Sequence, residues 1–192
     1  PAAREERCDK EARSLPERIQ VGHEAVDGDP VAYMHDRNHY GSIVARDGDK
    51  VYLYFGMRRG GKAYYAFDVT NPESPKLMWK IEKGGDFAEL GYTFSNPRVG
   101  LVNSPSGPLP VVMFAGGYDM NKDTRGVVGT NDSEGNAIYV VNAETGALIW
   151  KARRGSGGSG SVFEHPKLLD SIPSTLAAAD TDGDGFTDRL VV

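Results

Sequence analysis

The sequence predicts an all-β fold, a partial β-propeller assembled from four-stranded antiparallel blades. Three observations predict it. A proline-led pattern occurs three times, at VDGDPVAYMHD, FSNPRVGLVN and SIPSTLAAAD, around Pro30, Pro97 and Pro173. Each copy leads to a strongly β-prone run: KVYLYFG at 50–56, LPVVMFAGG at 109–117 and DRLVV at 188–192. In the first two copies a further strand–turn–strand follows, AYYAFDVTNPESPKLMWK at 63–80 and AIYVVNAETGALIWK at 137–151. Four strands repeated along a chain are the signature of propeller blades.

Each proline stands in a turn-rich stretch that becomes apolar for about five residues, which suits the first strand of a unit. The strands are rich in Val, Tyr, Phe and Trp, residues that fit a pleated, half-buried surface. Tyr65 matches Tyr139, Asp68 matches Asn142 and Trp79 matches Trp150, so strands three and four of both units align residue by residue. Asn, Thr, Pro and Gly between them supply the reversals. A blade commonly takes ~40–45 residues, so these longer copies carry long loops, expected at 36–49, 82–94, 118–136 and 153–171. The last holds GSGGSGS at 155–161, which resembles a flexible linker. A small β-sandwich of hairpins is the competing fold.

Two organisational units are expected: a charged segment over 1–21 and a partial propeller of about two and a half blades over 22–192. Propellers close with about four to eight blades, so the chain reads as a truncated piece of a larger ring. Residues 1–20 balance five basic against five acidic side chains and lack an apolar core, so they are not a signal peptide. No apolar run approaches the ~18 residues of a membrane span. Four Asp and no Lys or Arg fall within 180–188, while the whole chain carries −5. There is no basic stripe for nucleic acid. Cys8 is the only cysteine, so no internal disulfide forms.

That acidic stretch, DTDGDGFTD, is the candidate site. Asp180, Asp182 and Asp184 take positions 1, 3 and 5 of a D-x-D-x-D-G loop, and Gly185 takes the sharp-turn position 6. The Phe186 carbonyl falls at position 7 and Asp188 at position 9. This is the ligand order of calcium loops, and every donor is a hard oxygen. Zinc favours Cys and His, and magnesium demands near-octahedral geometry and keeps its waters. Val191 stands where an EF-hand places a bidentate Glu, and Pro173 leaves too little room for a long amphipathic helix before Asp180. The predicted site is therefore a Ca²⁺ loop joining strands one and two of the third unit. The matching connectors, HDRNHYGSIVARDGD and NSPSGP, lack the full ligand set.

Together these stretches resemble the C-terminal β-propeller of the PilY-type proteins, tip-associated adhesins and biogenesis factors of type IV pili. The resemblance runs over about residues 22–192 and also rests on LGYTFSNPRVG (90–100) and VVMFAGGYD (111–119). It implies a modified seven-bladed propeller with one loop-bound calcium, held by Asp180, Asp182, Asp184, the Phe186 carbonyl and Asp188. It implies minor pilins and the pilus machinery as partners, with a host or abiotic surface receptor beyond them. It implies a place in the periplasm, outer membrane and cell surface of a Gram-negative bacterium, and a part in pilus extension, attachment and twitching motility. The Arg-Gly-Asp tripeptide that some family members bear is absent.

ETGALIWK also resembles the repeat of quinoprotein dehydrogenase propellers, where the Trp packs between blades. A lone cysteine cannot form the vicinal disulfide such enzymes often set against the quinone, so no enzyme is expected. No G-x-S-x-G nucleophile motif or phosphate loop occurs either. A pilus-independent, calcium-dependent adhesin propeller is the other alternative. His35 and His39 are read as solvated loop residues, and Arg58-Arg59-Gly60-Gly61 as a basic hairpin tip.

Overall fold

The computed structural model describes residues 26–124 and 130–192. The charged segment 1–21 lies outside them, as do residues 125–129. Strands β1 (Val31–His35), β2 (Lys50–Gly56), β3 (Ala63–Asp68) and β4 (Lys76–Glu82) form one antiparallel sheet in sequential order. Strands β5 (Arg98–Ser104), β6 (Gly107–Ala115), β7 (Ala137–Asn142) and β8 (Leu148–Arg154) repeat it. Strands β10 (Ala177–Ala179) and β11 (Arg189–Val191) pair as the start of a third unit. No sheet among the described residues closes on itself, as a partial propeller requires.

The repeat holds at the level of register. Phe55 pairs with Tyr65 in the first sheet and Phe114 with Tyr139 in the second. Both sheets then carry a bulge at one place, after Ala66 and after Val140, and these two residues face Trp79 and Trp150. A bulge at a matching position bends and twists both units alike.

Strand alternation gives each sheet two apolar faces, and the units stack through them. Tyr52, Tyr54, Tyr64 and Trp79 of the first sheet pack against Val112, Phe114, Tyr139 and Val141 of the second. The opposite face of the second sheet, with Val111, Met113 and Ile138, packs against Leu176 and Leu190 of the third unit. Polar tips are satisfied across the seam: Tyr54 Oη and Trp79 Nε1 both donate to the Ala143 carbonyl, at 3.1 and 3.0 Å. Tyr64 Oη donates to the Ser95 carbonyl at 2.6 Å. A buried Tyr or Trp usually has its O–H or N–H paired in this way.

Two expectations are corrected. The segment 153–171 is not one loop. Residues Val162–His165 form β9, which lies parallel to β8 and makes the second sheet five-stranded. The GSGGSGS stretch is folded: Ser159 bridges Val162, and the Lys151 N–H donates to the Ser161 carbonyl. It turns the chain back so that β9 runs alongside β8. His35, in turn, is not a loop residue but ends β1, paired with Lys50 and stacked on Tyr33.

The added strand buries charge. Lys151 is 5% exposed, and its Nζ donates to the Asp86 carbonyl at 2.7 Å and to Glu89 Oε2 at 3.3 Å. Arg153 bridges Glu89 and Glu164 of β9. Burial pushes the Glu89 carboxyl up, but its own N–H, Lys151 and Arg153 outweigh that and hold it below the usual carboxylate range. A carboxyl held low in the folded state stabilises the fold above its unfolded pKa, and that contribution fades as pH falls through the folded value. Glu89→Gln is therefore expected to be less stable than the wild type at neutral pH, with the gap narrowing in acid. Denaturant titrations at neutral pH and at ~pH 3 check this; a gap independent of pH would contradict it.

Candidate metal centre

The loop between β10 and β11 runs from Asp180 to Asp188. Its ends are fixed by strand pairing, since Ala179 faces Arg189 and the Asp188 N–H donates to the Ala179 carbonyl at 3.0 Å. Inside, Asp180 is the anchor. Its Oδ1 accepts the Gly183 N–H at 2.6 Å and its Oδ2 the Gly185 N–H at 2.8 Å. Gly183 and Gly185 sit at φ 82° and 89°, the left-handed region where a side chain is strained, so this curl requires glycine. Asp184 Oδ1 accepts the Phe186 N–H at 2.8 Å. Thr181 closes the loop, its N–H and Oγ1 both donating to Asp188 Oδ2 at 2.8 Å.

Carboxylate oxygens of Asp180, Asp182 and Asp188 lie within 4.8 Å of one another, all on exposed side chains. The convergence brings together positions 1, 3 and 9 of the sequence motif. Asp184 is not in this trio, and Phe186 is half-buried at the loop's exit. Electrostatics within the loop are divided. Gly185 and Gly183 hold Asp180 below the usual range, and Thr181 does the same for Asp188. Asp182 accepts the Asp184 N–H, yet the charges of Asp184, Asp188 and Asp180 push it above the usual range. A donor set of converging carboxylates with no nitrogen or sulfur fits a hard cation of calcium's kind.

The first unit carries a turn of similar geometry. Asp36 follows β1 as Asp180 follows β10, and Asp36 Oδ2 accepts the Gly41 N–H at 2.6 Å. His39 and Gly41 repeat the positive φ of Gly183 and Gly185, at 57° and 74°. Asp49, just before β2, accepts the Arg37 N–H at 3.0 Å as Asp188 accepts that of Thr181. Between these anchors Asn38 and Tyr40 replace the carboxylates of Asp182 and Asp184. The turn is shared; the density of ligands is not. Spacing of Asp36, Asn38 and Gly41 was the available signal. In the second unit the connector is a tight hairpin in which Ser104 pairs with Gly107.

Comparison with known proteins agrees with this architecture. A family model described as the PilY1 beta-propeller domain matches residues 4–188. The chain belongs to the PilY1 beta-propeller family. Relatives include the type IV pilus biogenesis factor PilY1 of Pseudomonas aeruginosa strain UCBPP-PA14, 29% identical over 126 residues, covering 65% of this chain and 10% of that protein. A PilY1 homolog of Xylella fastidiosa strain Temecula1 is 30% identical over 142 residues, covering 72% of this chain and 9% of that protein. The chain thus spans about a tenth of the length of these curated relatives. The crystal structure of the Pseudomonas aeruginosa PilY1 C-terminal domain superimposes with a TM-score of 0.53 at 27% identity, covering 86% of this chain and 27% of that one. Among the described residues no helix is long and apolar enough to cross a membrane.

Proposed function

We propose that this chain is a calcium-binding part of the propeller of a type IV pilus biogenesis protein. It acts without catalysis, by presenting a surface to the pilus machinery. In this reading the protein works in the periplasm, outer membrane and cell surface, and supports pilus extension, attachment and twitching motility. The observation that carries it is the convergence of Asp180, Asp182 and Asp188 at the tip of a β-hairpin, in a chain of the PilY1 beta-propeller family. Asp184 and the Phe186 carbonyl complete the candidate ligand set, since calcium takes six to eight oxygens. The chain's own part is to curl the backbone at Gly183 and Gly185 and to hold Asp180 and Asp188 by N–H donors. A bound ion would supply positive charge to a cluster that repels itself, and so fix the hairpin.

The test is genetic. The full gene is deleted in its bacterium and restored either as wild type or with Asp180→Ala. Deletion is expected to remove surface pili and twitching, the wild type to restore both, and Asp180→Ala to restore neither fully. Normal piliation after deletion would replace this reading with the pilus-independent adhesin, and full restoration by Asp180→Ala would separate the pilus role from the ion.

A further inference from the structure

The ligand loop does not stand alone on its hairpin. Thr187 lies between Phe186 and Asp188, the position-7 and position-9 ligands, and it is the point where the loop touches the second sheet. Its N–H donates to the Leu101 carbonyl of β5 at 2.8 Å. Beside that bond, Gly100 of β5 approaches so closely that a Cβ there would lie 2.7 Å from Thr187 Oγ1 and 2.8 Å from Met113 Cε. Gly100 is in an ordinary strand conformation, so the space is needed for contact, not for backbone freedom. Thr187 and Asp188 also border a groove of ≈ 410 Å³ shared with Val102, Met113 and Trp150 of the second sheet.

We propose that the second unit sets the calcium affinity of the third unit's loop, through the seat that Gly100 and Leu101 provide for Thr187. The proposal rests on the calcium reading above. Residues on either side of Thr187 carry ligands, so a displacement of Thr187 moves Phe186 and Asp188 against Asp180 and Asp182, whose positions are set by Ala179 and the glycine turns. Groups that orient metal ligands from outside the coordination sphere typically change affinity by 10–100-fold. Linkage makes the effect reciprocal: an ion that binds the seated loop more tightly tightens the contact between the two units. Calcium would then act on the stacking of blades and not only on a surface loop.

Calorimetric CaCl₂ titration of the whole chain tests this. Gly100→Ala is expected to weaken binding about 10–100-fold. Adding Thr187→Ala to it is expected to recover most of the loss, because the hydroxyl that meets the new methyl is gone, Met113 Cε is the end of a flexible side chain that can move aside, and the Leu101 bond remains. A Gly100→Ala variant that binds as the wild type does, while Asp180→Ala does not bind, overturns the proposal and leaves the calcium site standing. A double variant as weak as Gly100→Ala also overturns it. Hydrogen exchange of the wild type provides a test that needs no variant: saturating calcium is expected to slow exchange of the Thr187 amide, and an unchanged rate overturns the coupling. No calcium uptake by the wild type would instead defeat the metal reading itself.

Discussion

Replacing Trp79 by alanine is expected to lower the stability of the chain by ~3–5 kcal/mol, the cost typical of emptying a buried aromatic site. Trp79 is 7% exposed at the seam between the first two sheets. It stacks on Tyr54 with ring centroids 5.7 Å apart and donates to the Ala143 carbonyl. Gly146 lies against its ring so closely that a Cβ there would come within 2.9 Å of Trp79 Cγ, so the site is tightly packed. Trp150 holds the equivalent register position in the second sheet but is only half-buried, at the edge of the groove under the third unit. Trp150→Ala is therefore expected to cost clearly less. Urea unfolding of both variants measures the difference; equal losses would mean the first seam is not the main body of the core.

Asp180→Ala is expected to weaken calcium binding at least ~100-fold, beyond the range for groups outside the coordination sphere. The change removes a ligand and also the acceptor for the Gly183 and Gly185 N–H groups, so the curl itself is released. Asp184→Ala is expected to have a smaller effect, since its carboxylate lies outside the converging trio. Because the loop is exposed and the two main cores lie elsewhere, Asp180→Ala is expected to melt with the wild type in EDTA. Calorimetry with and without chelator measures both. A melting temperature lowered equally in EDTA and calcium would show that Asp180 serves the fold and not an ion.

Most strands were legible because their causes are local. The run at 50–56 is β2 residue for residue, and the alignment of Trp79 with Trp150 survives as a shared register with a shared bulge. The turn at 180–188 was legible for the same reason: Asp-Gly alternation encodes its own curl, through Asp180's bonds to Gly183 and Gly185, which span three and five residues. Strand β9 was not legible. VFEH is four residues beside a Gly-Ser stretch, and its parallel pairing depends on β8 and on Arg153 reaching Glu164, which are tertiary facts. The fate of the lysines shows the same limit. Lys80 and Lys151 each follow the marker Trp, yet Lys80 is exposed while Lys151 is buried, with β9 paired alongside it and Glu89 above. Nor could spacing tell that Thr187 would rest on Gly100, 87 residues earlier.

If the carboxylates between β10 and β11 hold a calcium ion, anomalous diffraction from crystals of the chain grown with CaCl₂ will reveal it. One anomalous peak is expected among Asp180, Asp182 and Asp188, with oxygen distances of ~2.3–2.6 Å. Well-ordered side chains in that loop with no peak between them, at millimolar calcium, would contradict it.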